Sequence, residues 1–132
     1  MSLYETKNLT VIRKNGSLPD IPFLAIKEKI LGKSYSLTII FCTPAESKLR
    51  NKTYRDKDYP TNILSFPLDK NEGEIYISLS TARADAKNFD MTYQKFLHLL
   101  VIHGILHLKG HDHSSTMDKL EDSYLNKFYT ID

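Results

Sequence analysis

A single cysteine, Cys42, in a chain of 132 residues has no partner for a disulfide within the chain, which excludes a disulfide-stapled scaffold. No apolar run approaches the roughly 18 to 20 residues that span a bilayer, so a transmembrane helix is excluded as well. The opening stretch MSLYETKNLTVIRKNG lacks the basic-then-apolar layout of a secretion signal. The expectation is a reduced, cytoplasmic protein with no membrane partner. Neither sign of charge dominates: 18 Lys and Arg oppose 16 Asp and Glu, a formal +2. That balance neither requires nor excludes a nucleic-acid partner, and any electrostatic recognition has to be local. Repeats, low-complexity tracts and linkers are missing too, and the length suits one core, so residues 1–132 are expected to form a single domain. No histidine precedes His98, and four of the five lie in HGILHLKGHDH, residues 103–113.

The elements read as a small α+β domain. Residues 3–14 alternate loosely and carry Thr10, Val11 and Ile12, which suggests one strand. In IPFLAIKEKILG, Phe23, Leu24, Ile26 and Ile30 recur near helical spacing and Gly32 marks a stop. SYSLTIIFC is rich in β-branched and aromatic residues and predicts a strand. Thr43, Pro44 and Glu46 form a capping box with proline at the first helical position, predicting a helix over 44–53. Strand-like runs at 62–66 and 74–79 flank a polar loop, as a hairpin or as two less directly paired strands. Ser80 is a candidate cap for a helix in STARADAKNF. From Thr92 to Gly110 a helix of about seventeen residues is apolar on most sides, so it belongs in the middle of the core. SSTMDKLEDSYLNKFY predicts a terminal helix carrying Met117, Leu120, Tyr124, Leu125 and Phe128.

Two segments carry chemistry. In KLRNKTYRDK, the cations Lys48, Arg50, Lys52, Arg55 and Lys57 surround Tyr54, a composition that could track a phosphate backbone and stack a base. A solvated helix end has the same composition, so this segment decides nothing alone. His103 and His107 are four residues apart, on one helical face, where both can reach one metal ion. His113 lies beyond the Gly110 stop, where the chain can turn back with a third nitrogen, and His111 competes with it for that place. Three histidines and an open position are a catalytic zinc arrangement, whereas a closed structural site usually needs cysteines. Gly104 inside the helix costs roughly 1 kcal/mol relative to alanine, which close packing would offset. It also stands where the zinc proteases of the H-E-x-x-H type carry their general base. His98, about 140° round the helix from His103, reads as a structural or partly exposed side chain. Asp112 can orient an imidazole, activate water or shape the turn.

The string His103-Gly104-x-Leu106-His107-Leu108-x-Gly110-x-Asp112-His113 resembles the H-G-x-L-H-L-x-G-x-D-H signature of the YbeY family, bacterial endoribonucleases and ribosomal-RNA maturation factors. LRNKTYRDKDYPTNILSFP is similar to that family's L-N-x-x-[FY]-R-x-x-x-x-P-T-D-V-L-S-F-P stretch, and GEIYIS to its G-D-I-x-I-S. Asn62 and Glu74 stand where the family usually has Asp, and Asp56 where glycine is frequent. The resemblance implies an α+β fold with a small mixed sheet and helices around a central metal-bearing helix. It implies one Zn2+ per chain, held by His103, His107 and His113, and a functional Arg55 at the cleft edge. It also implies a single-strand-specific endoribonuclease of 16S rRNA 3′-end maturation and ribosome quality control, with ribosomal partners and no DNA. On this reading Lys48, Lys52, Arg55 and Lys57 are RNA contacts. The alternatives are a metal-dependent hydrolase of another substrate class and a non-catalytic ribosome-assembly factor whose zinc is structural.

Overall fold

A computed structural model describes residues 1–112 and 114–129. In chain order the elements are β1 (Ser2–Thr6), β2 (Leu9–Arg13), α1 (Phe23–Ile30), β3 (Ser36–Cys42), α2 (Pro44–Arg55), β4 (Ile63–Asp69), β5 (Glu72–Ser78), α3 (Leu79–Ala86), α4 (Tyr93–Lys109) and α5 (Ser115–Phe128). The strands form one sheet in the order β1-β2-β3-β5-β4. The inner pairs β2–β3 and β3–β5 are parallel, and the outer pairs β1–β2 and β4–β5 are antiparallel. The α+β fold expected from the pattern and the small mixed sheet that the resemblance implies are therefore present.

Four local expectations change. Residues 3–14 are two strands joined at Lys7 and Asn8, not one. Asn8 takes the left-handed conformation (φ 68°) that its short amide tolerates, and its Nδ2 donates to the Lys33 carbonyl at 3.0 Å. The cap of α3 is Ser78 rather than Ser80, because β5 runs directly into the helix and its last side chain accepts from Thr81 N–H. Helix α2 extends to Arg55. Its Thr43 cap accepts from Glu46 N–H at 3.2 Å, while the Glu46 carboxylate pairs with Lys14 at 3.8 Å, so only the threonine half of the capping box appears among the described contacts.

Burial follows the pleat. Leu37, Ile39 and Phe41 of β3 and Leu9 and Val11 of β2 point into a core that also takes the buried residues of α1 and α4. The sheet is covered differently at its β5–β4 end. Gly104 of α4 presses on Ile63, Ser65 and Ile75, whereas Arg50 of α2 lies 4.1 Å over the ring of Tyr76. Ser65 is paired with Ile75 and Leu64 with Tyr76, so α4 and α2 occupy opposite faces of the sheet. Between them runs the free edge of β4. Lys27 is wholly buried on α1, where desolvation lowers its pKa, and its ammonium donates to the Lys33 carbonyl at 2.9 Å. Among the described residues no helix is long and apolar enough to cross a membrane.

Candidate active site

Helix α4 turns most residues between Phe96 and Leu106 into the core and leaves Leu99, His103 and His107 as a less buried stripe. His98 is on the buried side, its Nδ1 on the Gln94 carbonyl at 2.8 Å, which makes it a structural residue. The expected close packing at Gly104 is present. A Cβ built there would lie 2.8 Å from Ile63 Cδ1 and 3.0 Å from Ser65 Oγ, and Ser65 donates to the Gly104 carbonyl at 3.2 Å. Helix and edge strand therefore touch at this point, and a glutamate in place of Gly104 has no room.

The two imidazoles are held from behind. His103 Nδ1 donates to the Glu121 carboxylate of α5 at 2.5 Å, and His107 Nδ1 donates to the His111 carbonyl at 3.0 Å. Gly110 (φ 109°) makes the second contact possible. Its left-handed conformation ends α4, His111 N–H returns to the Leu106 carbonyl, and the chain folds back over the last turn. With Nδ1 of each ring engaged from behind, the two Nε2 atoms face each other 3.0 Å apart, and Nε2 is the nitrogen that an imidazole with a proton on Nδ1 offers to a cation. A shared cation suits that arrangement: ligands about 2.0–2.1 Å from a tetrahedral zinc stand roughly 3.3 Å from one another. Carbonyl and carboxylate partners on the second ring nitrogen are also what metal-ligating histidines usually have.

Among the described residues no group of three or more His, Cys, Asp or Glu forms a metal-holding set. His111 therefore does not complete a trio with this pair; it supplies its carbonyl instead. Asp112 is exposed at the turn. His113, the expected third ligand, lies outside the described residues. Cys42 forms no such set with the pair, and burial first, then the Glu46 charge, pushes its pKa up to about 11. It is a protonated thiol at neutral pH.

Sequence reasoning missed Glu121. A signal existed, because Glu121 interrupts the apolar stripe of Met117, Tyr124, Leu125 and Phe128 on α5, where a carboxylate needs a buried partner.

Arg55 reaches the same cleft from the other side of the sheet. A cavity of about 780 Å³ is lined by Tyr54 and Arg55 of α2, by β4 from Ile63 to Pro67, and by His103 and His107. Consecutive β4 residues line it because it runs along the strand's free edge. Arg55 is the last residue of α2, exposed, and the next residue, Asp56, is left-handed (φ 56°). That conformation favours glycine, which accounts for the glycine frequent at this position in the resembling family. The loop after Asp56 is tied back along α2 by two buried side chains. Ser47 Oγ donates to the Thr61 carbonyl at 2.6 Å, and Asn51 Nδ2 donates to the Tyr59 carbonyl at 2.9 Å. Of the other expected RNA contacts, all exposed, Lys48 pairs with Asp58 at 4.0 Å and Lys52 with Asp56 at 3.1 Å. Lys57 follows the helix end, outside the cleft lining.

Asn62 lines the cleft and donates to Asp85 Oδ2 of α3 at 2.9 Å. An aspartate there would set two carboxylates at hydrogen-bond distance, so the amide suits this chain. Glu74, the other departure, accepts from Tyr76 Oη at 3.4 Å and is not part of the cleft lining.

A family model described as Endoribonuclease YbeY matches residues 20–129. Two relatives described as Endoribonuclease YbeY, from Staphylococcus aureus strains JH9 and Newman, are each 31% identical over 130 residues, covering 84% of this chain and 84% of their own. The solution structure of a Thermotoga maritima protein is similar with a TM-score of 0.59 and 33% identity, covering 80% of this chain and 77% of that one. By family match, by identity and by fold, this chain belongs to the endoribonuclease YbeY family.

Proposed function

We propose that the protein is a zinc-dependent endoribonuclease that cuts single-stranded RNA in the cleft along β4. One observation carries this reading: two imidazoles with convergent Nε2 atoms share a cleft with an exposed arginine. His103, His107 and His113 would hold one zinc. When bound, zinc supplies a Lewis acid for a phosphate oxygen and lowers the pKa of its water from 15.7 toward about 7. The chain's own residues do the rest. Glu121 and the His111 carbonyl fix the imidazole orientations, so the ring nitrogens need not reorganise during reaction. Arg55 pairs with the scissile phosphate through a bidentate guanidinium contact and offsets the negative charge that grows there. Lys48, Lys52 and Lys57 attract the flanking backbone, the first two by exchanging Asp58 and Asp56 for phosphates. A 16S rRNA 3′-end substrate, ribosomal partners and a cytoplasmic setting are the part of this reading supported by the family resemblance.

The test is cleavage of end-labelled RNA with a single-stranded 3′ extension, by wild-type protein and a His107→Ala variant purified identically. The variant is expected to lose more than about 100-fold of the activity, beyond what removal of an outer-shell partner does. Chelated wild type should recover with added zinc. Equal cutting by both proteins would remove the catalytic claim.

A further inference from the structure

We propose that Tyr54 is the stacking platform for an unpaired RNA base in this cleft, a role that rests on the endoribonuclease reading above. Tyr54 is 61% exposed although its ring touches Phe66, with centroids 4.8 Å apart and planes tilted by 49°. Phe66 meets Tyr76 edge-on at 5.8 Å, and Tyr76 carries the Arg50 guanidinium at 4.1 Å. The exposed ring is thus the outer member of a braced series of three rings and one cation. It is held in place before any ligand arrives, which lowers the entropy lost on binding.

Placement gives the ring its partner. Tyr54 and Arg55 are adjacent in the last turn of α2, and both line the cleft that holds His103 and His107. A nucleotide whose phosphate pairs with Arg55 therefore has its base within reach of the neighbouring ring. Tyr59 and Leu68 are comparably exposed, but neither lines the cleft. Every base has a π-face, so a ring selects little by sequence. It selects by pairing state, because duplex bases are already stacked on each other and only an unpaired base can be splayed out onto an aromatic side chain. The cations attract either form; the ring discriminates between them.

The chain has no tryptophan, so Tyr54→Trp creates a single fluorescent reporter at the site. The probes are a single-stranded RNA oligonucleotide and an abasic ribose-phosphate oligomer of equal length and charge, with cleavage followed in the same samples. RNA should quench the reporter and the abasic oligomer should not. In the otherwise unaltered chain, Tyr54→Ala should weaken RNA binding at least about fivefold, the lower end of one base–aromatic stack. Tyr54→Leu, which keeps bulk against Phe66 without a π-face, should do the same, and Tyr54→Phe should bind within about twofold of wild type. Abasic binding should be unchanged throughout. Unaltered RNA binding by the Ala and Leu variants, or equal quenching by both probes, overturns the stacking role while leaving a wild type that binds and cuts RNA an endoribonuclease. A wild type that neither binds nor cuts overturns both.

Discussion

Helices α4 and α2 face each other across the free edge of β4, and they hold their functional side chains by opposite means. On α4 the backbone is locked by burial on nearly every side, and His103 and His107 project from the one stripe left over. Each ring is then fixed from behind, by Glu121 and by the His111 carbonyl. On α2 Lys48, Lys52 and Arg55 are exposed, and the two lysines pair with exposed carboxylates. That helix is anchored by two polar residues, Ser47 and Asn51, rather than by an apolar face. The lesson is that changes on the α4 wall disturb geometry and stability together, whereas changes at the exposed cations of α2 leave the fold intact and alter what the cleft attracts.

Glu121→Gln is the strongest way to break that contrast within the chain. Loss of the carboxylate behind His103 should lower zinc affinity by about 10- to 100-fold, read by competition with a chromophoric chelator. Unchanged affinity would make Glu121 a packing residue only. Arg55→Ala should cut RNA cleavage at least about tenfold, as expected for loss of a charge-assisted contact to the reacting phosphate, with the melting temperature unmoved because Arg55 is exposed. Equal activity would remove Arg55 from the mechanism.

Gly104→Ala sharpens the comparison from the buried side. Alanine gains roughly 1 kcal/mol of helix propensity, but crowding in a packed core costs about 1–3 kcal/mol. With Ile63 Cδ1 at 2.8 Å and Ser65 Oγ at 3.0 Å from the new carbon, we expect a net loss near 1 kcal/mol by thermal denaturation. A higher melting temperature would show that the edge strand yields. Lys52→Ala should do least: it breaks an exposed pair with Asp56 and shifts stability by no more than about 0.5 kcal/mol. If Lys52 meets a phosphate, the slope of log Kd against log salt should fall by about one; no change would leave Lys52 as surface charge.

Much of the α4 wall was legible in the chain. Thr92 and Gly110 bound a seventeen-residue helix with the cap and the left-handed stop that such residues favour. The i, i+4 spacing of His103 and His107 needs nothing beyond helical geometry to put them side by side. The same holds for Thr43 as the cap of α2. Less was legible where the decisive contact is remote. The turn at Asn8 is stabilised by a carbonyl 25 residues away, and Ser78 became a cap because β5 continues straight into α3. Ser47 and Asn51 look like ordinary polar helix residues until the loop after Arg55 folds back onto them.

By itself the sequence determined the helices, the caps Thr43 and Thr92, the histidine pair and the family, because periodicity, capping chemistry and a long spaced motif are local properties of the chain. Only the tertiary structure decided that Arg55 and the histidines share one cleft, since α2 and α4 lie on opposite faces of the sheet and meet only around the free edge of β4. It alone brought Glu121 to His103 across 18 residues and three braced rings to the cleft wall. Those contacts join parts of the chain that no local pattern links, and packing of the sheet against its helices is what closes the distance.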